Sequence, residues 1–128
     1  MKQLDKCAQV VIVNPNTKMV LGVSRKDDHN DFGLAGGKYN QGDVGTGFTA
    51  KRELLEETGF SRRLDQLLLI HKGEYGGMMQ YTYSTNFDEN DVISTDEPHV
   101  VKWCTTKEIM NGSFGDYNEM IFKKMGLI

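Results

Sequence analysis

The chain has 128 residues, 38% of them hydrophobic and 26% charged, and a formal net charge of -3 at pH 7. That length suits one domain spanning residues 1–128, able to bury roughly two thirds of its unfolded surface, and no apolar run approaches the ~20 residues needed to cross a bilayer. The acidic balance excludes a phosphate-tracking nucleic-acid binder, which carries a basic stripe, so an anionic ligand needs local help to bind.

The start, MKQLDKCAQVVIVN, holds too short an apolar stretch for a secretory signal, and cytoplasmic residence is expected. Strands are predicted over CAQVVIVN (7–14) and MVLGVS (19–24), joined by the turn-rich PNTK as an opening hairpin. The polar stretch RKDDHND leads to FGLAGGKYNQGDVGTG, which holds six of the fourteen glycines between residues 33 and 47 and reads as a flexible or closely approached loop. Residues 48–58 are helix formers, and Gly59 is placed to end the helix. LDQLLLIHK, MMQYTYSTNF and VVKWC are further strand candidates, and TTKE at 105–108 matches a capping box opening a short helix. In GDYNEMIFKKMGLI, Tyr117, Met120, Ile121 and Met125 recur at spacings of three and four, an amphipathic helix. Mixed strands and helices point to an α/β or α+β layered domain. Cys7 and Cys104, with no CxxC pair, read as buried, reduced side chains.

The stretch RELLEETGF (52–60) carries the strongest chemical signal. At about 100° per residue, Glu53, Glu56 and Glu57 share one helical face. Like charges at this spacing cost roughly 0.2–0.5 kcal/mol per pair, and carboxylates in a last turn oppose the helix dipole. Arg52 can relieve Glu56, four residues on, but not all three acids. A solvated surface helix is the bland explanation; a divalent cation, which takes carboxylate oxygens and leaves positions for water and phosphates, is the functional one. Gly36 and Gly37 lack side chains, so their backbone groups can approach an ion or a phosphate. No P-loop or dinucleotide fingerprint competes: Lys38 precedes Tyr39, and Gly42, Gly45 and Gly47 lack G-x-G-x-x-G spacing.

Together, GGKYNQGD and RELLEETGF resemble the Nudix box, G-x5-E-x7-R-E-U-x-E-E-x-G-U with U bulky and aliphatic. Arg52, Glu53, Leu54, Glu56, Glu57 and Gly59 match, with Phe60 as the last bulky position; Asp43 stands where the family has Glu, and the loop to Arg52 is one residue longer. FGLAGGK is similar to the family's WGLPGGK, and DEPHVVKWCTTKEI to its acidic loop, Trp-bearing strand and short capped helix. The resemblance implies the Nudix fold, α/β with a mixed β-sheet sandwiched between α-helices, and Mg²⁺- or Mn²⁺-dependent hydrolysis of a nucleoside diphosphate linked to another group. It implies that Glu56 and Glu57 ligate metal with the Gly36 carbonyl. Glu53 is the first choice for general base or for orienting the water, and is a further candidate ligand, while Arg52 holds the acidic side chains. Some family members use a Glu on a later loop as base, and Glu97 matches it; an ordinary loop acid is the alternative.

Gly37, Lys38 and Arg25 are candidates for phosphate contact, Arg25 and its neighbour Lys26 following a strand. Asn118 can donate to and accept from a purine edge, against the plainer roles of helix cap or exposed side chain. Tyr81, Tyr83 and Trp103 read as core, and His29, His71 and His99 have no ligand spacing. The expected activity is that of a MutT-like pyrophosphohydrolase releasing a nucleoside monophosphate and pyrophosphate from a nucleoside triphosphate, since a chain this short leaves no room for an added domain. The expected partner is a small nucleotide, with no nucleic acid or membrane, in a monomer or homodimer. The alternatives are a nucleotide-sensing domain without turnover and a hydrolase of ADP-ribose or dinucleoside polyphosphates.

Overall fold

The computed structural model describes residues 3–128; the first two residues of the chain start, read above as carrying no secretory signal, lie outside it. Strands β1 (Lys6–Val11), β2 (Val20–Ser24), β3 (Phe32–Gly33) and β4 (Ala35–Lys38) precede helix α1 (Thr46–Thr58). Strands β5 (Leu68–Tyr75), β6 (Met78–Ser84) and β7 (Val101–Cys104) follow, then helices α2 (Thr106–Met110) and α3 (Gly115–Met125).

The strands form two sheets, of order β4-β1-β6-β5 and β3-β2-β7. The first is mixed, because β1 runs antiparallel to β4 and parallel to β6. The opening hairpin exists only at its tip, where Val13 bridges Val20 and the Leu21 N–H donates to the Ile12 carbonyl at 3.0 Å. Beyond it β1 and β2 part into different sheets, because each finds longer ladders elsewhere: β1 with β4 and β6, β2 with β7. The glycine-rich stretch is also not all loop, since AGGK is strand β4, paired with β1 from Cys7↔Lys38 to Val10↔Ala35.

Alternation along β1 divides its side chains between two cores. Ala8, Val10 and Ile12 pack with Ala50 and Leu54 of α1 and with Phe60. Val11 belongs to the other cluster, with Tyr117, Ile121 and Phe122 of α3. The mixed sheet thus lies between α1 and α3, as expected of the family. Tyr81, Tyr83 and Trp103 pack against the α1 core, as core aromatics. Both thiols are free, Cys104 fully buried and Cys7 only half-buried.

The short helix α2 opens with the expected capping box, Thr105 accepting from the Glu108 N–H and Glu108 from the Thr105 N–H. Gly59 ends α1 in the left-handed conformation, φ 82°, with its N–H on the Leu55 carbonyl. A Cβ at Gly59 would stand 2.4 Å from the Ser94 carbonyl, so a following loop presses on this helix end. No helix among the described residues is long and apolar enough to cross a membrane.

Candidate active site

The acids of RELLEE stay together because Arg52 lies among them. Its Nε and Nη2 donate to Asp43 Oδ1 and Oδ2, each at 3.1 Å, in a bidentate pair. Nη1 donates to Glu53 Oε1 at 2.9 Å and reaches Glu56 Oε2 at 3.3 Å. Nη2 also donates to the Lys38 carbonyl at 3.2 Å, tying the helix to the end of β4. Two fork nitrogens on one carboxylate give the strongest geometry available to a guanidinium. Arg52 lowers the Asp43 carboxyl to about 2, against the opposing pull of burial, with the Asn40 N–H and the Thr49 hydroxyl also favouring the charged form. Sequence reasoning did not give Asp43 this role. The signal was its place, at the Glu position of the box, with one methylene fewer than Glu. The extra loop residue is taken up at the surface, where Val44 is 83% exposed and Gly45 has φ 84°.

Glu57 has no such ion pair, and Lys26 acts on it only from a distance. Glu57 Oε1 accepts from the Gly36 N–H at 2.7 Å. Burial pushes its carboxyl up to about 8, an effect the Gly36 bond opposes and the charges of Glu53 and Glu97 reinforce. Burial also raises Glu53, which Arg52 partly counters. Gly36 is required by the sheet, since a Cβ there would sit 2.4 Å from the Ala8 carbonyl, and a Cβ on Gly37 would sit 2.6 Å from the Glu53 carboxyl and displace that side chain.

The last carbonyls of α1, which the helix cannot itself satisfy, are satisfied by the loop after β6. The Ser94 N–H donates to Thr58 O at 2.9 Å and the Thr95 hydroxyl to Glu56 O at 3.0 Å; His99 Nε2 lies 2.8 Å from Glu57 O, as a donor. His99, given no role from sequence, is 8% exposed and faces Glu97 through Nδ1 at 3.7 Å. Glu97 pairs with Lys26 at 2.9 Å. A second clamp, Arg62 on Asp91 and on the Asn86 carbonyl, fixes the earlier part of the same loop.

Beside the acids lies a cleft of about 260 Å³, bordered by Gly36, Gly37 and Glu57 at one end and by Gln9, Gln80 and Asn118 further in, with Phe32 and Phe114 as apolar wall. Asn118 is neither cap nor exposed: it lies within α3, 2% exposed. Among the described residues its amide has no side-chain hydrogen-bond partner, while every fully buried polar side-chain atom is satisfied. Its polar atoms therefore face the cleft that it lines. Arg25 stands at the same cleft but is exposed and held by Asp27 at 2.9 Å. Lys38 contributes its carbonyl to Arg52, and its side chain is exposed. Of the residues singled out from sequence, then, Gly36, Gly37, Arg52, Glu53, Glu56 and Glu57 meet directly, Glu97 approaches on the loop, and Asn118 joins through the cleft.

Hard carboxylate and carbonyl oxygens are what Mg²⁺ or Mn²⁺ takes. Among the described residues no three His, Cys, Asp or Glu side chains are already gathered as an ion nest. Arg52 holds Glu53 and Glu56, and Gly36 holds Glu57. The donor chemistry fits a divalent cation all the same, and the fit rests on Glu57, a half-buried residue that makes no ion pair among the described residues and feels Lys26 only from a distance.

This is an α/β sandwich with an acidic helix facing a glycine strand. A family model described as the NUDIX domain matches residues 4–122, and the chain belongs to the Nudix family. Members of that family are hydrolases of pyrophosphate bonds and generally use divalent cations. No curated protein matches the chain. Among solved structures it is similar to an Escherichia coli dihydroneopterin triphosphate pyrophosphohydrolase, at 20% identity and TM-score 0.71, over 95% of this chain and 97% of that one. It is also similar to MutT from Aliivibrio salmonicida and Vibrio cholerae, at 15% identity and TM-score 0.69, over 94% and 93%. A MutT/nudix family protein from Enterococcus faecalis aligns at 23% identity and TM-score 0.66, over 80% of this chain but only 44% of its own length. At these identities the likeness is one of fold.

Proposed function

We propose that the chain is a metal-dependent pyrophosphohydrolase of a nucleoside triphosphate, releasing a nucleoside monophosphate and pyrophosphate, or of a related nucleoside diphosphate derivative, releasing a nucleoside monophosphate and the phosphorylated remaining group. The observation that carries this is Glu57: a half-buried carboxyl beside Glu53 that no cation pairs with directly, lining a cleft that also carries the amide side chains of Gln9, Gln80 and Asn118. A surface helix would leave these acids in water. The dihydroneopterin triphosphate and MutT names of its structural relatives point the same way.

Glu56, Glu57 and the Gly36 carbonyl, with Glu53 beside them, would hold Mg²⁺ or Mn²⁺. Such an ion, when bound, neutralises phosphate oxygens and makes water more acidic. Arg52 keeps Glu53 in place through Oε1, leaving the other oxygen to take the proton of a water attacking phosphorus. The bridging P–O bond breaks as the new bond forms, and pyrophosphate leaves. Gly37 keeps the strand open beside Glu53; Lys38 and Arg25 supply positive charge for the phosphate tail. Asn118 meets the ring. Glu97, tied to Lys26, is the second candidate for base.

Release of pyrophosphate or phosphate from a panel of nucleoside triphosphates, ADP-ribose and dinucleoside polyphosphates, with and without Mg²⁺, tests this. Metal-dependent turnover of a triphosphate is expected. Tight nucleotide binding with no turnover would make the chain a nucleotide sensor instead.

A further inference from the structure

The inner wall of the cleft is a chain of hydrogen bonds with one direction. Gln80 Nε2 donates to the Tyr75 carbonyl at 3.2 Å. A backbone carbonyl can only accept, so the Gln80 amide is fixed with its nitrogen on that side and Oε1 on the other. Gln80 Oε1 then accepts from Gln9 Nε2 at 2.7 Å. This turns Gln9 Oε1 toward Thr82, whose hydroxyl donates to it at 3.2 Å. Thr82 has spent its proton, so the Tyr117 hydroxyl, 2.6 Å away, donates to Thr82. Neither amide is free to flip without leaving two acceptors face to face in a buried site.

Each amide nitrogen has two N–H groups and the chain uses one, so Gln9 and Gln80, neighbours that both line the cleft, keep a second N–H each, while each Oε1 already accepts a bond from within the chain. Gln9 is also the register partner of Gly36, whose N–H holds Glu57. A ring against Gln9 therefore has its phosphate tail next to the acids. We propose that the Gln9–Gln80 pair is a specificity-determining donor wall that selects a nucleotide ring presenting an oxo group beside a ring nitrogen over one presenting an amino group there. Two neighbouring donors match the adjacent O6 and N7 acceptors of an oxopurine, whereas the 6-amino group of adenine would bring donor against donor. Asn118, whose amide is unengaged, turns to suit whichever edge is presented and does not set this choice. The proposal rests on the cleft being the ring site of the hydrolase described above.

Inosine and adenosine nucleotides share N7 and carry oxo against amino at position 6, with N1 protonated only in inosine, and are the probes. With Mg²⁺, kcat/KM for inosine triphosphate is expected to exceed that for adenosine triphosphate about tenfold or more, and Gln9→Leu is expected to bring the ratio close to one. A wild-type ratio of one or below overturns the donor wall. So does a Gln9→Leu protein with a native circular dichroism spectrum and an unchanged ratio. Should Gln9→Leu fail to fold, calorimetric binding of inosine and adenosine monophosphates to the wild type decides: tighter inosine binding supports the proposal, and equal affinities overturn it. Absence of turnover with a clear inosine preference in binding would sink the hydrolase reading while leaving the donor wall standing.

Discussion

Arg52 donates to Asp43, Glu53, Glu56 and the Lys38 carbonyl, so it is the charge that lets Glu53 and Glu56 share a face, while Glu57 turns to the Gly36 N–H. Asp43→Asn keeps the shape but removes the bidentate partner; a loss of about 1–3 kcal/mol in denaturant unfolding is expected. An unchanged midpoint would mean that the clamp contributes little. At the chemical centre, Glu53→Gln should lower kcat by about 10²-fold or more in a folded protein, as for loss of a base. If Glu97→Gln is the crippled variant instead, the base sits on the loop. Glu57→Gln should weaken Mn²⁺ binding and turnover together, because it removes a charged oxygen at the helix acid that Arg52 does not reach. Undiminished Mn²⁺ affinity measured by calorimetry would count against its role.

At the scale of elements, α1 ends under a loop that supplies donors to the Glu56, Glu57 and Thr58 carbonyls. These bonds answer the electrostatic objection to acids in a last helical turn: the carbonyls that would repel them are already engaged. Thr95→Val removes the hydroxyl on Glu56 O and the bond that Thr95 Oγ1 accepts from the Glu97 N–H. A cost of about 1 kcal/mol is expected, with faster amide exchange concentrated at the end of α1 and in residues 94–99. Exchange rising evenly across the sheet would show that the loop does not brace this helix locally.

Across the whole molecule the balance of stability with pH follows from two carboxyls shifted in opposite directions. Asp43 is held near 2 against an ordinary 3.8, so its contribution is present above 3.8 and is lost as pH falls through about 2. Glu57 lies near 8 against an ordinary 4.5, so the folded protein binds the extra proton. Its contribution is full below 4.5 and is lost as pH rises through about 8. A divalent cation binds the ionised form and reverses the trend. The rise in Tm on replacing chelator by Mg²⁺ should therefore be larger at about pH 9 than at about pH 6. An equal rise at both would show that Glu57 is not the titrating ligand.

RELLEETGF and its glycines announce an acidic helix, its Gly59 stop and a family, because helical periodicity and charge repulsion are local properties that neighbours in sequence reveal. Capping boxes and most strands are legible for the same reason. Partnership across the chain is not. β1 and β2 look like a hairpin but divide between two sheets, AGGK reads as loop but pairs as β4, and Asn118, which reads as a purine contact, a cap or a surface side chain, lies buried at a cleft. Gln9 and Gln80 were visible only as polar interruptions in strand runs; that their amides meet at 2.7 Å, and in which direction, depends on the parallel pairing of β1 with β6 across 71 residues. The residue types decide which bonds are available, and the folded sheet decides which of them can form, because only there are donors and acceptors brought within reach and cut off from water.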